Sequence, residues 1–111
     1  ACAHPLGALG YHHGTLNAIL LPHVLRLNLS DLGSKAKQIA DYLGRGSAQE
    51  LPQHMHELVV ALGIPPRLRD LGLKQADLLG VSQAAMQDNA NKTNPRNMTV
   101  ALYDALLAAA Y

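Results

Sequence analysis

The sequence predicts an all-α fold. It is rich in Leu and Ala, which keep most of their rotamer freedom in a helix, and it contains no Phe or Trp. Its apolar residues recur at helical intervals, and no window shows the period-two alternation of a half-buried strand. The 111 residues suit one domain, 1–111, and leave no room for two. A chain of this size buries only about two-thirds of its unfolded surface, so a partner domain or a second copy would add to its stability.

Residues 1–14 hold three glycines and one proline and read as a loop around one short turn. His13-Gly14-Thr15 then opens a helix. Its apolar positions Leu16, Ile19, Leu20, Val24 and Leu27 imply burial on most sides. Pro22 lacks an amide proton and is expected to kink this helix or divide it. The turn Ser30–Ser34 can cap a second helix, about 34–43, with Ile39, Ala40 and Leu43 inward and Gly44 at its end. Ser47-Ala48-Gln49-Glu50 has the pattern of a capping box, Ser47 taking the Glu50 amide and the Glu50 carboxylate returning to Ser47. A third helix, about 48–62, follows, with Leu51, Met55, Leu58, Val59 and Leu62 inward and Gly63 closing it. Ile64-Pro65-Pro66 is a stiff connector. Short helical pieces at about 66–71, 74–79 and 81–89 are punctuated by Gly72 and Gly80. Asn89 to Asn97 is a polar loop, and a last helix, about 99–110, turns Leu102, Leu106 and Leu107 inward.

Net charge is +1, from nine Lys+Arg against eight Asp+Glu. That balance has no electrostatic footprint for nucleic acid or an anionic membrane, and no apolar run approaches the length of a transmembrane helix. One cysteine, Cys2, excludes an internal disulfide and suits a reducing cytoplasm. Cytoplasmic localisation is therefore the expectation, with no nucleic-acid or membrane partner.

Four of the six histidines fall in the first 23 residues: His4, His12, His13 and His23. Histidine titrates near neutral pH and is the commonest metal ligand. His4 and His13, nine residues apart across a Gly-rich bend, can reach one point. Two imidazoles do not make a site, since zinc or ferrous iron needs at least three protein ligands, and no carboxylate precedes Asp31. His23, in an apolar helix, reads as a neutral, hydrogen-bonded core residue. His54 and His56, two apart, point to different faces and read as surface residues. The Asp88 and Asn94-Pro95-Arg96 group is the other polar feature. Arg96 can clamp an anion or pair with a nearby acid, and the structural role is the expectation. No phosphate loop, Ser/His/Asp order or CxxC is present.

Several segments, in order, resemble one family. They are Ala3-His4-Pro5-Leu6-Gly7-Ala8, His13-Gly14, Asn17-Ala18-Ile19-Leu20-Leu21-Pro22-His23-Val24 and Arg26-Leu27-Asn28, then Gly63-Ile64-Pro65, Leu68-Arg69-Asp70-Leu71-Gly72, Asp77-Leu78 and Asn94-Pro95-Arg96. Together they resemble the C-terminal helical domain of the iron-containing (group III) alcohol dehydrogenases, related to the dehydroquinate synthase-like helical domain. The resemblance implies a compact multi-helix fold. It also implies a parent enzyme in which an N-terminal domain binds NAD(P) and the helical domain holds Fe²⁺ or Zn²⁺. That metal polarises the substrate oxygen during hydride transfer.

The family's ligands are an Asp and three His. By the resemblance His13, before Gly14, matches the last histidine. His12 is the alternative, because the segment Ala8–His13 is one residue short and His12 stands where a proline is common. His4 matches a histidine beside the metal that is not normally a ligand, and Asp88 matches a polar position of that pocket. The remaining ligands and the nucleotide-binding domain would precede Ala1. The expectation is therefore a partial metal- and substrate-binding domain, inactive and weak in metal binding by itself. Its partner is either the missing N-terminal domain or a second copy in a homodimer. A non-catalytic module that self-associates through surface its parent would bury is the alternative function. A self-contained metal site built on His4, His12 and His13 is a third reading.

Overall fold

The computed structural model describes residues 1–111 and contains helices and turns but no strand. Six α-helices follow one another: α1 (Ala3–Gly7), α2 (His13–Asn28), α3 (Ser34–Tyr42), α4 (Leu51–Ala61), α5 (Val81–Gln87) and α6 (Val100–Ala110). Four 3₁₀ turns join them, at Ala48–Glu50, Leu68–Leu71, Gln75–Leu78 and Asn89–Thr93. No helix is long and apolar enough to cross a membrane.

The core forms around α2, which packs against α4, α1 and α6. Leu16, Ile19 and Leu20 of α2 are buried with Leu6 of α1, Ala85 of α5, and Tyr103, Leu106 and Leu107 of α6. Leu68 and Leu73 come from the connector segment. A proline inside a helix costs about 3 kcal/mol, whereas burying each large aliphatic side chain returns about 1.5–3 kcal/mol. Three such residues on α2 outweigh the loss, and the helix runs undivided from His13 to Asn28.

The second and third helices form where the spacing predicts, but their buried faces differ. On α3 only Ala36 and Ala40 are buried, while Ile39 and Leu43 are exposed. The helix lies beside the 48–50 turn and away from the main core, so its larger side chains meet solvent. On α4, Leu51, Pro52 and Val59 are buried, whereas Leu58 and Leu62 are exposed. Leu102 of α6 is half-buried rather than inward.

The capping box at Ser47 does not form. The Ser47 hydroxyl accepts from the Gln49 amide at 3.3 Å and donates to Gln49 Oε1 at 2.6 Å. Residues 48–50 turn as a 3₁₀ segment, and α4 begins at Leu51 with Pro52 in its first turn, where a missing N–H leaves no helical bond unmade. Gly63 ends α4 with φ +72°, and the Ile64 amide reaches back to the Val59 carbonyl at 3.1 Å. Only glycine takes that left-handed position without strain.

The polar 89–97 segment is fastened to the end of α2. The side-chain amides of Asn28 and Asn94 exchange two hydrogen bonds, at 2.7 and 3.0 Å. Arg96 Nε donates to Asp31 Oδ2 at 2.8 Å, and its Nη2 to the Ser30 hydroxyl at 3.1 Å. Arg96 therefore has the structural role, paired with a nearby acid rather than open to an anion.

Candidate functional site

Three of the sequence-derived candidates meet at one end of the fold. His4 lies on α1, His13 is the first residue of α2, and Asp88 follows the end of α5. The Ala8–His12 bend folds α1 back on α2, and the packing of α1 against α5 brings Asp88 to His4. The His4 and His13 rings stack, with centroids 5.1 Å apart and planes 16° from parallel.

His4 Nδ1 donates to Asp88 Oδ2 at 2.5 Å. The other oxygen of Asp88, Oδ1, accepts from the Ala90 amide at 2.8 Å and caps the 89–93 turn. The bond from His4, then that from the Ala90 amide, holds the Asp88 carboxyl below its ordinary value of 3.8. Asp88 is thus ionised and fixed at both oxygens. It sets the ring orientation of His4 and keeps a proton on Nδ1, so the neutral His4 ring presents Nε2 as an acceptor.

His13 gains its own partner from the helix period. Asn17, one turn further along α2, meets His13 Nδ1 at 3.0 Å. Sequence reasoning named Asn17 only inside a motif, although its i, i+4 spacing from His13 is the signal for this contact. His12 is employed differently. Its Nδ1 accepts from the Thr15 amide at 3.3 Å and from the Thr15 hydroxyl at 3.0 Å, which caps α2. Gly14 makes room for that cap, since a Cβ there would lie 3.0 Å from His12 Cε1.

No group of three or more His, Cys, Asp or Glu side chains comes together in an arrangement able to hold a metal ion. His4, His12 and His13 do not converge as a self-contained site. The residues present therefore do not fit a complete metal centre. His13 offers one imidazole donor, and Cys2 offers none, because burial pushes its thiol up to about 11.

The remaining histidines depart from expectation. His23 is half-buried with its Nδ1 enclosed and unpartnered, not hydrogen-bonded. Burial lowers its pKa, with Arg26 and His56 adding to the effect. His54 bonds to Arg45, and both His54 and His56 are half-buried rather than on the open surface.

An apolar cavity of about 390 Å³ opens along α2, lined by neither His4 nor His13. Ala1, Leu20, Leu21, Val24, Met98 and Leu106 line it, with Asn17 at its edge. Leu21 is 42% exposed there.

The sequence model of the Fe-containing alcohol dehydrogenase family, C-terminal, matches residues 1–111. Lactaldehyde reductase of Escherichia coli (strain K12) is 44% identical over 107 residues, covering 88% of this chain and 28% of that protein. Alcohol dehydrogenase 4 of Saccharomyces cerevisiae (strain ATCC 204508 / S288c) is 36% identical over 117 residues, covering 100% of this chain and 30% of that protein. Among solved structures, a 1,3-propanediol oxidoreductase superposes with a TM-score of 0.89 at 34% identity, over 99% of this chain and 31% of that one. The chain spans less than a third of the length of each of these relatives.

Proposed function

Since the chain belongs to the Fe-containing alcohol dehydrogenase family, matching its C-terminal domain, we propose that it supplies the metal- and substrate-facing part of an NAD(P)-dependent alcohol/carbonyl oxidoreductase. The observation that carries this reading is the stacked His4–His13 pair, with His4 tied to Asp88. An oriented acceptor imidazole stacked on a second imidazole that is free to ligate a metal places a proton acceptor beside the substrate oxygen, which is what proton transfer at a hydroxyl requires.

His4 is the residue that takes up or returns the substrate hydroxyl proton, at Nε2. Asp88 is a positioning residue, holding the Nδ1 proton and stabilising the imidazolium when Nε2 is occupied. His13 is the metal ligand contributed by this chain. It is favoured over His12, whose Nδ1 is committed to capping α2. A ligand that binds through Nε2 carries its proton on Nδ1, so Asn17 must then present its Oδ1 rather than its amide nitrogen to His13. A metal held by His13 together with ligands from outside these residues, Fe²⁺ or Zn²⁺, would supply Lewis-acid polarisation of the substrate oxygen.

The nicotinamide-binding part and the other ligands come from outside these residues, in a cytoplasmic enzyme. The 111 residues by themselves then bind Zn²⁺ weakly, shift the ring resonances of His13 before those of His54, and do not reduce NAD(P)⁺. Robust alcohol-dependent NAD(P)⁺ reduction by this chain alone, or metal shifts that bypass His13, would overturn the reading.

The apolar cavity favours a second role for the same surface. A lining of Leu20, Leu21, Val24 and Leu106 open to solvent tends to find a cover. The nucleotide-binding part of the enzyme covers it in the first reading; a second copy of the chain covers it in a non-catalytic, self-associating module. Sedimentation separates them, because a monomer at high concentration rules out the second.

A further inference from the structure

A second cavity, of about 450 Å³, opens where α2, α4 and the 66–69 connector meet. His23 and Arg26 of α2, His56 of α4, and Arg67 and Arg69 of the connector line it. No acidic side chain does. In a chain whose net charge is +1, three arginines on one cavity are an uneven allocation. The chain's three ion pairs join His4 to Asp88, Lys37 to Asp41 and Arg96 to Asp31, so Arg26, Arg67 and Arg69 are left without a carboxylate. Tyr111 also lines the cavity.

His23 also lines the cavity, with its Nδ1 shielded from solvent, so the guanidinium groups are the donors open to a ligand there. Guanidinium groups are the side chains whose donor geometry matches a phosphate oxygen pair.

We propose that the cavity between α2, α4 and the 67–69 connector is a binding site for a phosphate-class oxyanion, gripped by Arg26, Arg67 and Arg69 and flanked by His23 and His56. The site lies apart from the His4–His13–Asp88 cluster and shares no residue with it. Its volume falls within the range of about 300–1,000 Å³ typical of small-ligand pockets, which leaves room for an organic group bearing the phosphate.

The test is a titration of the 111-residue chain with inorganic phosphate, with glycerol phosphate and with chloride at matched ionic strength, followed by the ring resonances of His23 and His56. Saturable shifts with either phosphate and none with chloride are expected. Arg67→Gln or Arg69→Gln should weaken the binding about tenfold, as for loss of one charge-assisted contact, while Lys92→Gln, which removes the same charge elsewhere, leaves it unchanged. Tighter binding of glycerol phosphate identifies an organic phosphate as the ligand, and tighter binding of inorganic phosphate identifies the free ion. No saturable shift in the unaltered chain, or equal affinities in Arg67→Gln, Arg69→Gln and Lys92→Gln, would overturn the proposal.

Discussion

His4 and Asp88, 84 positions apart in the chain, are joined by a hydrogen bond of 2.5 Å from Nδ1 to Oδ2. That bond closes α1 onto the end of α5 and fixes the ring that stacks on His13.

Its pH signature follows from the lowered Asp88 pKa. A carboxyl whose folded-state pKa is depressed contributes stability that is fully present above the unfolded value and is lost as pH falls through the folded one. The contribution is therefore intact at neutral pH and disappears below the ordinary value of 3.8. Thermal melts between pH 7 and pH 2 should show the unaltered chain and Asp88→Asn converging at the acid end and diverging above pH 4. Parallel curves across that range would contradict the assignment.

Asn28 and Asn94 form a reciprocal amide pair with Asn28 5% exposed. Changing either to Ala strands the partner's polar atoms, at a cost of about 1–3 kcal/mol. The double variant should cost less than the sum, since neither amide is then left facing a missing partner and only the Arg96 carbonyl, which accepts from Asn94 at 2.8 Å, loses a bond. Arg96→Ala removes an ion pair whose side chains are 35% exposed on both sides and should cost no more than about 1 kcal/mol. Urea unfolding of the four variants checks the order.

Leu16, in the first turn of α2, is fully buried in the main core. Leu16→Ala should destabilise by about 2–5 kcal/mol through lost burial and the cavity left behind, against a small effect for Ala substitution of exposed Leu79. Equal midpoints in denaturant would contradict the placement of the core.

Cys2 is 6% exposed, and burial raises its thiol to about 11. Thiolate is the reactive form, so a thiol reagent at pH 8 should label the native chain far more slowly than the chain in denaturant. Equal rates would show that α1 is not docked.

The comparison between sequence and structure separates local from non-local information. Helix positions were legible because they rest on spacing and punctuation within ten or fifteen residues, as with Gly44 and Gly63. Ile39 and Leu43 face solvent although their spacing points inward, because spacing gives a face but not what covers it, and α3 lies off the main core. Pro22 does not divide α2, since a residue-level penalty says nothing of the burial gained by its neighbours. The Ser47 pattern yielded to Pro52, which set the start of α4 one turn later.

In the candidate site, the adjacency of His4 and His13 followed from a short bend and could be read. Asp88 could be placed only through the resemblance, because its bond to His4 depends on the docking of α1 against α5. The cationic cavity at His23 was invisible, because it gathers residues from α2, α4 and the connector that share no local pattern.

The central claim is that His13 is the metal ligand this chain contributes. The direct measurement replaces the matching segment of Escherichia coli lactaldehyde reductase with these 111 residues, then determines bound metal and lactaldehyde reduction. The chimera should hold metal and turn over. His13→Ala should lose both, and His12→Ala should keep the metal at some cost in stability from the lost helix cap. Metal retained in His13→Ala, or lost only in His12→Ala, would contradict the account.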